Sequence, residues 1–169
     1  ALEAGDPVKI TKDAYRKLAE KPTHVIAIGK AAGAMATAVR DGGYDGPGLV
    51  ITTDENHRHI DGFNCIASAH PVPDKRGLDA ANTVETLVAG LGQTDHLLLL
   101  ISGGGSALLP APASGISLTQ KMALNDALLA SGLDIHAMNI VRRLFSRLKG
   151  GRLARLAAPA RITQFLFSD

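Results

Sequence analysis

Three stretches of this sequence hold residue types suited to anions. The first is Ser102-Gly103-Gly104-Gly105-Ser106, directly after the apolar run Leu97 to Ile101. Three consecutive glycines leave backbone N–H groups open to a ligand that comes close. The Ser-Ala-Leu-Leu segment that follows is expected to start a helix and add its dipole. Phosphate binding is the natural use of such a loop. It is not a Walker A loop, because no Gly-Lys-Ser/Thr follows, and it is not the dinucleotide G-x-G-x-x-G turn. An isolated triple glycine also reads as a flexible turn; its place after a central strand favours binding.

The second stretch is Gly29-Lys30, where the first strand is expected to turn into a helix. A lysine at a helix N-terminus opposes the macrodipole. Either it swings into water, or it is held at the strand ends to neutralise a transferring phosphoryl group. The small residues Ala31, Ala32, Gly33 and Ala34 would let a ligand approach.

The third stretch is Asn139 to Lys149. On a helical wheel Asn139, Arg142, Ser146 and Lys149 fall within an arc of about 80°. Ile140, Val141, Leu144, Phe145 and Leu148 take the opposite side, so the helix is expected to pack that face and present the polar one. No acid occurs from Ile135 to Ser168. An ordinary solvated stripe mixes both signs, so this one reads as anion-facing. Lys149-Gly150-Gly151-Arg152 carries the basic character into a turn.

Weaker signals accompany these. His70-Pro71-Val72-Pro73-Asp74 is stiffened by two prolines. Asp74 is most simply a helix cap, and a lone His70 is more often structural than ligand-binding. His57 and His59 flank Arg58 in a polar loop that reads as a solvated connection rather than a metal site. No metal ligands are assigned.

Positioning these residues requires alternating strands and helices. Strands are expected at His24–Gly29, Gly48–Thr53, Asn64–Ala69, Leu97–Ile101 and Ile162–Phe167. Helices are expected at residues 7–20, 30–40, 74–89, 117–130 and about 135–148. Asp74 and a Ser117/Gln120 capping box mark two helix starts, with Gly90 and Gly132 past two ends. The pattern is α/β: a Rossmann-like, doubly wound, mostly parallel sheet. Ligands bind such sheets beyond the carboxyl ends of the strands. That edge should gather Gly29-Lys30, His70 to Asp74, Ser102 to Ser106 and Ser168-Asp169. A domain ending on a strand without a covering helix reads as incomplete.

Composition limits the alternatives. Of 169 residues, 46% are hydrophobic and 4% aromatic, so the core must rest on Ala, Val, Ile and Leu. The net charge of +2 is too balanced to argue for nucleic acid or an anionic membrane. A single cysteine, Cys65, excludes an internal disulfide; it reads as a small core residue in a reducing cytoplasm. The longest apolar run is too short to span a bilayer. Glu3, Asp6 and Lys9 interrupt any signal-peptide pattern.

Taken together, six segments in order resemble the type II glycerate kinases, whose C-terminal part is the MOFRL domain. They are Gly29-Lys30-Ala31-Ala32 with Met35-Ala36, His70 to Asp74, Ser102 to Leu108, Gly115 to Leu118, Leu128 to Gly132, and Asn139 to Leu153. They cover nearly the whole chain. Two departures stand out: Leu133 replaces a small residue, and the family's continuation after Ser168-Asp169 is missing. The resemblance implies ATP-dependent phosphorylation of D-glycerate at its 2-hydroxyl, with Mg²⁺. It implies that residues 1–169 are a partial N-terminal Rossmann-like domain, without the second, MOFRL domain that walls the cleft.

By the same resemblance Lys30 is the active-site lysine, with Arg142 a second catalytic cation. Ser102, Gly103, Gly104, Gly105, Ser106, Asn139 and Lys149 would bind the cofactor. The implied partner is the small-molecule substrate; a homo-oligomer is compatible, and no nucleic acid or membrane is implied. Two other readings stand beside the kinase. One is an NAD(P)H-dependent hydroxypyruvate reductase, a name often given to family members. The other is a nucleotide- or anion-binding module without turnover. A G-x-G-x-x-G turn with an acid about 20 residues on would favour the reductase. Asp54 ends the second strand, but Gly29 to Gly33 is not that turn.

Overall fold

The computed structural model describes residues 5–168. Asp169 and the N-terminal tetrapeptide containing Glu3 lie outside the described residues. Five strands form one fully parallel sheet: β1 (His24–Ile28), β2 (Gly48–Thr53), β3 (Phe63–Ser68), β4 (His96–Ile101) and β5 (Arg161–Leu166). Their order is β3-β2-β1-β4-β5. That is the order of a dinucleotide-binding sheet through its fifth strand. The α/β expectation and all five strands are thus present, within a residue or two at each end.

The helices are α1 (Pro7–Arg16), α2 (Ala32–Asp41), α3 (Lys75–Ala89), α4 (Gly105–Leu108), α5 (Leu118–Ala130), α6 (Ile135–Leu144) and α7 (Arg152–Leu156). Local chemistry sets several starts. Asp6 caps α1 by accepting from the Val8 N–H, with Pro7 in the first turn. Asp74 caps α3 through the Gly77 N–H. Ser117 and Gln120 form a complete capping box on α5.

The sheet is covered on both faces. On one, Ile26, Ile51, Leu97 and Leu99 pack with Ala80, Val84 and Val88 of α3. On the other, Val25, Val50, Leu98 and Leu100 pack with Tyr15, Met35 and Val39 of α1 and α2. The first cluster is purely aliphatic, as the composition leads one to expect, whereas the second also buries Tyr15, Tyr44 and Phe63. Strand β4 is buried on both sides along most of its length, as expected of an inner parallel strand.

Four expectations are corrected. Helix α1 stops at Arg16 rather than residue 20. Cys65 is only partly buried, at the margin of the second cluster. Helix α4 is a single turn of four residues, too short to lend a useful dipole to the glycine loop.

The largest correction concerns α6, which ends at Leu144. The next residues are captured by long-range bonds. Ser146 bridges Pro112, the Phe145 carbonyl accepts from the Ala113 N–H, and the Arg147 N–H donates to Ala111. Ser146 is 1% exposed and its hydroxyl accepts from the N–H groups of Leu148 and Lys149. It is a turn residue, not part of a polar stripe. Nor does α6 bury an apolar face: Ile140 is 54% and Leu144 61% exposed. Leu148 alone of that set is buried, and it lies beyond the helix.

Candidate active site

The carboxyl ends of the strands lie on one edge, and short hydrogen bonds tie their loops together. The Ser102 N–H donates to the Ile28 carbonyl at 2.9 Å, and the Lys30 N–H to Gly103 at 2.8 Å. The Ser102 hydroxyl accepts from the Ala31 N–H at 3.0 Å. Gly29 makes this crossing feasible. Its φ is +126°, and a Cβ there would overlap the Ser102 hydroxyl and sit 2.6 Å from the Ser102 carbonyl oxygen. The Lys30 turn and the glycine loop are therefore one welded unit.

Gly104 sits at the centre of the edge with φ +87°. A Cβ on it would meet the His70 ring at 3.2 Å and the Lys30 side chain at 3.3 Å. The structure thus brings Lys30, His70 and the loop together. His70 packs on the loop, while Asp74 caps α3.

The loop's donors are free. Among the described residues, no protein hydrogen bond takes the N–H of Gly103, Gly104, Gly105 or Ser106. Four consecutive open N–H groups beside a cation form a ready oxyanion cradle. Ser102 itself is 7% exposed with its hydroxyl engaged, so its part is to hold the loop.

Two clefts flank the loop. One, of about 800 Å³, runs along its start and is lined by Lys30, Gly33, Asn56, Arg58, Ser102 and Phe167. Lys30 is exposed there, and its ammonium makes no hydrogen bond among the described residues. The other, of about 920 Å³, runs along the loop's end. Gly104, Gly105, Ser106, Asn139, Arg142 and Lys149 line it, together with apolar Ile101, Leu109 and Ile162. Asn139 and Arg142 reach this cleft from α6, as expected, whereas Lys149 is delivered by the turn after it. The Lys149 ammonium donates to the Ser106 hydroxyl at 2.7 Å. Burial, then the charges of Lys121 and Arg142, push it down to about 8.

Sequence reasoning missed Lys121 and His136. Lys121 lies on α5 and donates to the Phe145 carbonyl at 2.6 Å. No local signal marks it, since its role depends on α5 packing near the turn after α6. His136 lines the larger cleft.

Around the edge, Arg76 grips Asp54 through two bonds of 2.6 and 3.0 Å and Asp74 through one of 2.7 Å. Burial alone would raise the Asp74 carboxyl, but Arg76 and the Gly77 N–H hold it below the usual carboxylate range. The Arg76 hydrogen bond likewise holds Asp54 low. His57 bonds the Cys65 carbonyl and His59 pairs with Asp61, both exposed. Among the described residues, no group of three or more His, Cys, Asp or Glu could hold a metal ion. No helix among them is long and apolar enough to cross a membrane.

Comparison with known proteins places these features in context. A family model described as a domain of unknown function, DUF4147, matches residues 1–169. The D-glycerate 2-kinase of Thermotoga maritima is 37% identical over 172 residues, covering 100% of this chain and 41% of that protein. An Agrobacterium vitis protein whose name suggests a hydroxypyruvate reductase is 45% identical over 147 residues, covering 86% of this chain and 38% of that protein. The crystal structure of the Thermotoga maritima glycerate kinase superposes with a TM-score of 0.92 at 36% identity, over 98% of this chain and 41% of that one. The chain thus spans about 40% of the length of these relatives.

Proposed function

This chain belongs to the DUF4147 family, the N-terminal domain of glycerate kinases, and from that premise we propose that it is the nucleotide-binding part of an ATP-dependent kinase. The reaction is phosphorylation of D-glycerate at its 2-hydroxyl, giving 2-phosphoglycerate and ADP. Residues 1–169 act as a partial Rossmann-like N-terminal domain. In the whole protein a C-terminal MOFRL domain closes the cleft. A cytoplasmic setting suits a nucleotide-dependent enzyme of this kind.

One observation carries the reading. Among the described residues, the four consecutive N–H groups from Gly103 to Ser106 have no hydrogen-bond partner, and they lie on the strand edge beside the Lys30 side chain, whose ammonium is likewise unpaired there. Phosphoryl transfer needs little covalent help from a protein; it needs positioning and charge neutralisation. The loop N–H groups hold phosphate oxygens. Lys30 stabilises charge on the transferring phosphoryl group as the substrate oxygen attacks and the bond to ADP breaks. Arg142 adds a second cation, while Asn139 and Lys149 orient the cofactor from the far side of the loop. Mg²⁺ is usually held by nucleotide phosphates with one or two carboxylates rather than by an all-protein cage. In this reading the ion would come with ATP and neutralise its phosphates.

The reductase reading finds less support. The acid at the end of β2 is the one that would hold a ribose hydroxyl, and Asp54 there is gripped by Arg76. A binding module without turnover would keep the loop chemistry but not need Lys30. The deciding experiment measures the full-length protein with glycerate and ATP, and with hydroxypyruvate and NADH. ATP-dependent loss of glycerate without NADH oxidation supports the kinase. NADH oxidation without ATP use overturns it.

A further inference from the structure

Beyond the glycine loop the described residues hold another concentration of like charge. Lys121 on α5, Arg142 on α6 and Lys149 on the following turn line one cavity of about 400 Å³, with Ser106. Its wall is the proline-stiffened segment Pro71-Val72-Pro73. None of the three cations forms a salt bridge among the described residues. One acid, Asp126, lines the same cavity, and it pairs with none of them.

The cations interact with one another instead. Both Lys121 and Lys149 are pushed down by burial first; Lys149 is then lowered by Lys121 and Arg142, and Lys121 by Arg147. The Nε of Arg142 is buried without a hydrogen-bond partner. Buried charge in folded proteins is normally paired, and stacking three like charges around one cavity is costly unless something of opposite sign enters. Ser106 adds polar capacity. Its hydroxyl accepts from Lys149, which leaves its own hydrogen to give.

This cavity meets the end of the glycine loop, at Ser106 and Ala107. The cleft holding Lys30 meets the loop's start, at Ser102 and Gly103. Neither Lys121 nor Lys149 lines the Lys30 cleft. We infer that Lys121, Arg142, Lys149 and Ser106 form a second oxyanion subsite at the loop's end, adjoining the one that Lys30 serves at its start. It takes a phosphate or carboxylate group. The assignment of its ligand rests on the kinase reading, in which two anionic substrates, a nucleotide and an organic acid, must be held at once.

The test is a titration of this chain with inorganic phosphate, read by calorimetry and by amide NMR. Two sites are expected. Lys149→Gln should weaken one by ~10-fold or more, the scale of a lost charged hydrogen bond, and leave the other intact. Lys30→Gln should do the reverse. Lys121→Gln should act like Lys149→Gln. Because Lys121 also supports the Phe145 carbonyl, Lys121→Arg is the control, and it should retain binding. A single site, or a site insensitive to Lys121→Gln and Lys149→Gln in chains whose spectra remain dispersed, overturns the proposal. Competition then identifies the source. Displacement from this subsite by ADP assigns it to the nucleotide's phosphates; displacement by D-glycerate assigns it to the carboxylate. Phosphate bound there but displaced by neither leaves the subsite standing and counts against the kinase. Kinase activity with no phosphate at this subsite sinks the subsite and spares the kinase.

Discussion

The backbone N–H of Lys30 donates to the carbonyl of Gly103 over 2.8 Å. The candidate catalytic cation and the candidate phosphate loop are thus set by one hydrogen bond, though 73 residues separate them in sequence. Movement of either loop would carry the other with it.

Lys30→Ala in the full-length protein should lower kcat by ~10²-fold or more, the scale seen when one preorganised donor is lost. Lys30→Arg should rescue poorly, because a planar fork does not replace a compact point charge. The fold should survive, since the side chain is exposed. Steady-state kinetics with a thermal melt decide it. A normal kcat with a raised KM would reduce Lys30 to a binding residue and move the catalytic role to Arg142 or Lys149.

Gly29→Ala should destabilise the chain by ~2 kcal/mol or more. Two effects add: a left-handed φ of +126° and a Cβ driven into Ser102. Urea denaturation measures the loss. Gly103→Ala is the contrast, because no atom lies within 4 Å of a Cβ there. It should leave stability close to the parent's.

Lys149 should link stability to pH. Folding brings its ammonium down to about 8 from the ordinary 10.5. Between those values the unfolded chain binds more protons, so this group's contribution to stability rises with pH. Below about 8 both states are charged and the penalty is constant. The groups that share the two cavities of Lys149 include Lys121 and Asp126 from α5, His136, Arg142 and Arg143 from α6, and Ser106 from α4. Lys149→Met should therefore be more stable than the parent at pH 7. That advantage should shrink as pH rises from about 8 to 10.5. Denaturation curves for both proteins at several pH values test this, and a gap independent of pH would contradict it.

Arg147→Ala should loosen the turn that delivers Lys149. The guanidinium donates to Glu85 at 2.8 Å, to the Pro112 carbonyl at 2.6 Å and to Asn82 at 2.9 Å. Losing these bonds should cost about 1–2 kcal/mol, as partners are left partly unsatisfied. Phosphate affinity should fall as well, although Arg147 does not line the Lys149 cavity. Arg147→Lys should recover only part of both, since one ammonium cannot reach three acceptors. Unchanged phosphate affinity in Arg147→Ala would remove its positioning role.

Much of this protein is determined locally and can be read from the sequence alone. The five strands follow from apolar runs bounded by glycine and polar loops. Caps such as Asp74 and Ser117 declare helix starts because they satisfy N–H groups a few residues away. The alternation of strand and helix dictates the parallel sheet. That sheet, in turn, sends Lys30, His70 and Ser102 to Ser106 to one edge.

What the sequence could not decide depends on partners far along the chain. Helix α6 reads as continuous to Leu148 because its propensity and periodicity continue. It ends at Leu144 because Ala111, Pro112 and Ala113 capture residues 145–147, and Arg147 reaches Glu85. Ser146 is buried and Lys149 redirected by the same bonds. The exposed α6 face was equally hidden, since a helical wheel shows which residues share a side but not whether anything covers it. Lys121 carries no local mark. Only the packing that sets α5 beside the turn after α6 brings its charge to Lys149, because electrostatic proximity is a property of three-dimensional distance and not of spacing along the chain.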